Sequence, residues 1–98
     1  MSYLDLSIEE ALEKYPIKEI TMESLFRYIE EGVPTGSFLN AVLSNDLKES
    51  LGRADLENRQ SIFEIVSFLY NEAPGTCWGS PDRIAAWLEK HHMKRKLV

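Results

Sequence analysis

The sequence has a single cysteine, no long apolar run and no basic leader. One cysteine among 98 residues cannot form an internal disulfide. No apolar stretch approaches the roughly 20 residues that a membrane-spanning helix needs, so we expect no contact with a membrane. The first residues lack the basic region and apolar stretch of a secretory signal. These absences together predict a protein of the reducing cytoplasm.

The motifs of the common enzyme classes are missing as well. The chain has no Walker loop, no dinucleotide-binding GxGxxG and no GxSxG elbow. A zinc site needs three or four ligands, and one cysteine and two adjacent histidines are the only nitrogen and sulfur ligands available. Cys77 precedes the last predicted helix and His91 lies near its end, too far apart for a shared ion or a nucleophilic pair. We therefore expect no catalytic residue, no metal and no cofactor.

The net charge of −5 is unevenly distributed along the chain. Residues 1–50 carry ten acids and four bases, whereas residues 51–98 carry six acids and seven bases. Much of the basic excess lies in His91–Lys96, where cations meet the negative end of a helix dipole. We expect a frayed basic tail over about residues 92–98. Binding of duplex DNA, which needs several phosphate contacts on one face, is not expected.

Helix caps and apolar spacing predict an all-α fold. The segment Ser7 to Glu10 has the form of a capping box, and apolar residues at helical spacing follow it as far as Pro16. Four further segments have similar features and begin near Thr21, Ser37, Asp55 and Pro81. The helix over residues 56–72 is predicted to be the longest and most buried, because its second half is apolar on most sides. The chain is thus predicted to be a single domain, 1–98, formed by a bundle of about five helices.

The predicted helix over Ser37–Leu51 contains a competing signal. The side chains of Ser44–Asp46 can form hydrogen bonds with the backbone instead of continuing the helix. Asp46 also has Glu49 in the position of a capping box. We therefore expect a kink or a restart of the helix at Asp46.

A glycine-flanked loop, GTCWGSP, precedes the last predicted helix. It places Cys77 and Trp78 where a short polar turn would be sufficient. A cysteine in this setting is most often a packing residue, and this is how we interpret Cys77. Trp78 is either a hydrophobic plug or part of a recognition surface, and the sequence leaves both interpretations open.

The pair glycine–serine opens two predicted helices, at Ser37 and at Ser80. A helix N-terminus of this kind offers free amides to an anion. With Arg53 and Trp78 nearby, two such ends could hold a phosphate and stack a base. Alternatively, both serines cap their helices, Arg53 pairs with an acid and Trp78 packs under the loop. The candidate residues for binding a ligand or partner are Ser37, Arg53, Trp78 and Ser80.

A set of polar residues near the same helix junctions has a further interpretation. It could form a buried hydrogen-bond network that holds the junctions in place. Its members are Asn40, Asn45, Asp46, Arg53, Asp55 and Asn58.

Four segments have a distinctive order and spacing. They read VPTGSFLNAVLSNDL at 33–47, GRAD at 52–55, FLYNEAP at 68–74 and CWGSP at 77–81. Over roughly residues 25–88 the chain resembles a family of small accessory proteins of bacteriophages and prophages. The resemblance implies a phage accessory protein that acts in the bacterial cytoplasm. The resemblance does not imply a catalytic or binding role for any residue of this chain.

Small accessory proteins of phages commonly act by stoichiometric binding. The leading hypothesis is therefore a non-enzymatic binding protein that interferes with a host process, most concretely an inhibitor of bacterial defence. Its expected partner is a host or defence protein, or a small signalling nucleotide. Two alternatives stay open: a nucleic-acid-binding regulator whose Lys94–Lys96 tail contacts phosphate, and a structural protomer that forms homo-oligomers through apolar faces.

Overall fold

The computed structural model describes the backbone of residues 2–96 and the side chains of residues 2–94. All regular structure in this part of the chain is helical, which confirms the all-α prediction. There are seven α-helices, however, where about five were expected, because two predicted helices are each divided in two. The helices are α1 Ile8–Lys14, α2 Glu19–Glu31, α3 Ser37–Leu43, α4 Leu47–Arg53, α5 Leu56–Gln60, α6 Ile62–Glu72 and α7 Pro81–Lys96.

The first two helices have the ends that their sequences predict. The Ser7 hydroxyl accepts the Glu10 amide, and the Glu10 carboxylate accepts the Ser7 amide, which completes the capping box of α1. Helix α2 begins at Glu19, two residues before the predicted start near Thr21. It ends at Glu31, and Gly32 caps it with a left-handed φ of 68°.

The expected restart at Asp46 is confirmed. Helix α3 ends before Asn45, which adopts a left-handed φ of 64°. The Asp46 carboxylate then accepts the Glu49 amide at 3.1 Å and caps α4. At the other end of α3, Ser37 is not the helix cap that the alternative interpretation proposed. Gly36 occupies that position with an extended backbone, and Ser37 is the first helical residue.

The predicted long helix over residues 56–72 is broken at Ser61. Its amide bonds to the Asn58 carbonyl, its hydroxyl donates to the Glu57 carbonyl, and the chain restarts as α6. The longest helix is therefore α7. The segment is also buried on one side only, although burial on most sides was predicted. Helix α6 buries Ile65, Phe68 and Leu69, and its opposite side is exposed.

The core lies where α2 meets α6, α7 and the loop that joins them. Tyr28 links these elements: its hydroxyl donates to the Cys77 carbonyl at 2.7 Å, and its carbonyl accepts the Trp87 indole at 3.1 Å. The N-terminal segment closes the same end, because the Tyr3 ring packs edge-on against Trp87 and the Tyr3 amide donates to Glu30. The loop before α7 is thus tied to the most buried part of α2.

Helix α7 continues through the region expected to be frayed. The predicted tail at about 92–98 is helical as far as Lys96, and residues 97–98 lie outside the described part of the chain. His91 is buried and its Nδ1 lies 3.0 Å from the Trp87 carbonyl. Among the helices of residues 2–96, none has the length and apolar character to cross a bilayer.

Candidate functional site

The loop before α7 buries its cysteine and half-buries its tryptophan. A short 3₁₀ turn, Gly75–Cys77, carries the Cys77 side chain into the core, where it is fully buried. Burial raises the pKa of the Cys77 thiol to about 12, so the thiol is protonated and poorly nucleophilic at neutral pH. The Trp78 ring packs against the core on one side and is accessible on the other. The residue therefore combines both interpretations: it closes the core and contributes to the surface.

Hydrogen bonds hold this loop at several points. The Gly79 amide donates to the Leu43 carbonyl at 2.6 Å, which fixes the loop to the C-terminal end of α3. The Ser80 hydroxyl accepts the Arg83 amide at 3.1 Å and caps α7. The Arg83 guanidinium donates Nη1 to the carbonyls of Gly75 and Trp78, at 3.1 and 3.2 Å. Arg83, which the sequence analysis did not select, is thus the side chain that fastens the loop to the helix.

The predicted anion site is not assembled. The loop is bonded to the C-terminal end of α3, so Ser37 lies one helix length away, about 9 Å along the axis. Ser37 lines a different cleft, between α2, α3 and α5. Arg53 forms a salt bridge with Glu49 on α4, at 3.1 Å. Ser80 serves as a helix cap, as the alternative interpretation proposed, and of the four candidates only Trp78 lines a cleft at the loop.

The polar residues at the helix junctions do not form a buried network. Asp46 and Asp55 act locally, each capping the helix that follows it. Asn40 and Asn45 are exposed, as is Arg53. The remaining member, Asn58, is half-buried, and its amide oxygen accepts a hydrogen bond from the hydroxyl of Thr21 on α2.

Trp78 instead lines a cleft with residues that the sequence analysis did not select. The cleft has a volume of about 410 Å³, within the usual range of ligand clefts. Tyr70 from α6 and Asn45 from the α3–α4 junction line it together with Trp78, as do Ala73 and Arg83. Among the described residues that line it, Arg83 carries the only charge. We call this site the tryptophan cleft.

The tryptophan cleft lies at one end of an exposed apolar face on α6. Phe63, Val66 and Tyr70 are 75%, 37% and 80% exposed. They follow the i, i+3, i+7 spacing, which places them on one side of the helix, and Tyr70 also belongs to the cleft. We call Phe63, Val66 and Tyr70 the aromatic face. The spacing was visible in the sequence, but these residues were counted as core with the rest of the apolar segment.

The role of Arg83 in fastening the loop can be tested by substitution. Arg83→Ala removes two hydrogen bonds to loop carbonyls and keeps the Ser80 cap, which uses the Arg83 backbone. Because these bonds are exposed, we expect a loss of only about 1 kcal/mol in the free energy of unfolding. Acrylamide quenching of indole fluorescence should increase, since Trp87 is buried and Trp78 dominates the quenchable signal.

The matched control is Arg59→Ala, at an exposed arginine of α5 remote in sequence from the loop. Its quenching should equal that of the unmodified protein. Equal quenching in both variants would mean that Arg83 does not hold Trp78 in place.

Residues 2–94 contain no group of three or more histidine, cysteine, aspartate or glutamate side chains arranged to hold an ion. Comparison of the sequence with protein-family models and curated proteins, and of the structure with solved structures, finds no match. The candidate site thus rests on its own geometry: an aromatic cleft that continues into an exposed apolar helix face.

Proposed function

We propose that this protein is a non-enzymatic accessory protein of a bacteriophage or prophage that binds a host protein. In the bacterial cytoplasm, stoichiometric binding would interfere with a host process, most concretely a defence system. The tryptophan cleft and the aromatic face form the binding surface. The observation that carries this proposal is the exposure of Phe63 and Tyr70, two large rings that do not pack in the core.

The composition of this surface favours a protein partner. Tyrosine, tryptophan and arginine are the residues that most often dominate binding energy at protein interfaces. All three occur in the tryptophan cleft, as Tyr70, Trp78 and Arg83. The rest of the aromatic face, Phe63 and Val66, is apolar and exposed, which suits contact with an apolar surface.

The size of the exposed surface also favours a protein over a nucleotide as the partner. At about 200 Å² for an aromatic side chain, Phe63 and Tyr70 expose on the order of 300 Å² together. A nucleotide in the cleft would leave Phe63 uncovered. A stable protein interface covers about 800 Å² on each partner, so the aromatic face would be the centre of a larger contact. A signalling nucleotide is further disfavoured because Ser37 lines a different cleft, Arg53 pairs with an acid on α4 and Ser80 caps α7.

Site-specific photo-crosslinking in bacterial cells tests the proposal. Tyr70→benzoylphenylalanine places a photoreactive ring at the junction of cleft and face, and Glu13→benzoylphenylalanine on exposed α1 is the control. We expect one dominant crosslinked host protein at position 70 and none at position 13. Phe63→Ala in the crosslinking variant should reduce the yield several-fold, because Phe63 belongs to the same surface.

Other products of this experiment would contradict the proposal. A crosslinked dimer of the chain would favour the self-assembling protomer. Crosslinked nucleic acid would favour the regulator with the Lys94–Lys96 tail. Host proteins crosslinked equally at positions 70 and 13 would show that the aromatic face is not the binding surface.

A further inference from the structure

Three exposed cations of α7 lie along one line that starts at the tryptophan cleft. Arg83, Lys90 and Lys94 are spaced i, i+7 and i+11. At 100° per residue their directions differ by at most about 40°, and they extend over about 16 Å of helix. We call these three residues the basic line.

Two members of the basic line are held in position before any partner arrives. The Lys90 ammonium lies 4.8 Å from the centre of the Trp87 ring and 5.1 Å from that of Tyr3, which are cation–π distances. The Arg83 guanidinium is bonded to the loop carbonyls. Side chains that are already ordered lose less conformational entropy on binding.

No cation of the basic line forms a salt bridge with a described side chain. The salt bridges among the described side chains use Lys14, Lys18 and Arg53, and none of them involves the basic line. The neighbouring carboxylate of Asp82 lines an adjacent groove with Arg83 and does not line the tryptophan cleft. The basic line is therefore a row of cations without salt bridges among the described side chains, on a protein of net charge −5.

We infer that the partner presents an acidic segment with one large apolar side chain. The apolar side chain enters the tryptophan cleft between Tyr70 and Trp78, and the carboxylates lie along the basic line. An acidic segment is attracted to the cations of this strip, which orients the bound segment along α7. This inference rests on the proposed function and adds the chemistry of the partner.

Nucleic acid is the less suitable anion for this surface. Specific duplex binding commonly uses about 6–10 phosphate contacts, more than three cations supply. The acidic remainder of the protein would also repel a densely charged backbone more strongly than it repels a peptide with a few carboxylates.

Synthetic peptides test the inference with the intact protein. The probe is a peptide with one phenylalanine between runs of glutamate, long enough to cover the basic line. One comparison peptide has lysine in place of glutamate, and another has serine in place of phenylalanine. In ¹H–¹⁵N NMR titrations we expect the first peptide to shift the Trp78 indole and Tyr70 amide signals. It should bind at least about tenfold more tightly than either comparison peptide.

Matched charge reversals locate the carboxylates. Lys94→Glu and Lys48→Glu change the net charge equally, and both side chains are exposed. We expect Lys94→Glu to lower the affinity for the glutamate peptide about three- to fivefold. Lys48→Glu should leave this affinity within about twofold of that of the unmodified protein. Lys90→Glu should act like Lys94→Glu, with its fold checked by circular dichroism.

The outcomes separate this inference from the proposed function. Equal binding of the glutamate and lysine peptides, or tighter binding of a single-stranded oligonucleotide than of the glutamate peptide, would overturn the inference. A host protein crosslinked at position 70 would in that case still support the proposed function. Conversely, selective binding of the glutamate peptide without a crosslinked host protein would support the cleft chemistry and count against the proposed function.

Discussion

Phe68→Ala is expected to lower the free energy of unfolding by about 3–5 kcal/mol, the range for deleting a buried phenylalanine ring. Phe68 is 0% exposed. Its ring centre lies 5.5 Å from that of Tyr15, edge-on, and 5.9 Å from that of Phe26, nearly parallel. The substitution would leave a cavity between α1, α2 and α6 that backbone shifts can fill only in part. Urea unfolding followed by circular dichroism measures the loss.

Helix α6 supplies a matched control for this prediction. Phe63→Ala removes the same ring from the same helix, but Phe63 is 75% exposed. We expect a change within about 0.5 kcal/mol, as is usual for surface substitutions. Similar losses for the two variants would mean that Phe63 is covered in solution. Burial of that kind without a partner would point to self-association, which sedimentation would reveal.

The helical class was predictable from local signals, since caps and apolar spacing act within a single turn of chain. The Ser7 capping box and the Asp46 cap depend only on residues three positions away, and both form as expected. The break at Ser61 also has a local cause, of the kind considered at Ser44–Asp46, but it was not predicted, because neither glycine nor proline is nearby. It depends on how the Ser61 hydroxyl and amide bond to the preceding turn.

The binding surface was only partly predictable, because it depends on which helix ends meet. Trp78 was selected from its position in a glycine-flanked loop, and it lines the cleft. Ser37 was selected with it on the assumption that the two glycine–serine starts face each other. That assumption is wrong, since the Gly79 amide bonds to Leu43 at the opposite end of α3.

Tyr70 and Arg83 belong to the binding surface but could not be predicted from the sequence. An apolar segment such as α6 has more large residues than one side of a helix can bury, and only the tertiary structure selects the buried side. Arg83 acts through carbonyls of a loop whose path depends on several other elements. Neither role has a signature in the local sequence.

Gly32→Ala is expected to destabilise the fold by about 2–6 kcal/mol. A non-glycine residue with a left-handed φ is strained by about 1–3 kcal/mol, and forced repacking adds about 1–3 kcal/mol. Gly32 has a φ of 68°, and a β-carbon there would overlap the Cβ and Cγ atoms of His91. Those atoms are close to the backbone of α7, so the helix itself has to move. Thermal and urea unfolding measure the effect.

Gly52→Ala provides the control, because Gly52 lies inside α4 with open space around it. It should stabilise the protein by about 0.5–1 kcal/mol, since alanine is the better helix former. A change of less than 0.5 kcal/mol for Gly32→Ala, on the order of an ordinary surface substitution, would contradict the close packing of α2 against α7.

A double-mutant cycle then separates backbone strain from the overlap with His91. His91→Ala removes Cγ and the ring and keeps Cβ, so it relieves part of the overlap and none of the strain at Gly32. The combined variant should therefore lose less than the sum of the single losses, with a coupling of about 0.5–3 kcal/mol. Strict additivity would assign the effect of Gly32→Ala to the left-handed backbone and to the overlap with the His91 Cβ atom, which His91→Ala retains. Coupling would instead show that Gly32 sets how closely α7, and with it the basic line, approaches α2.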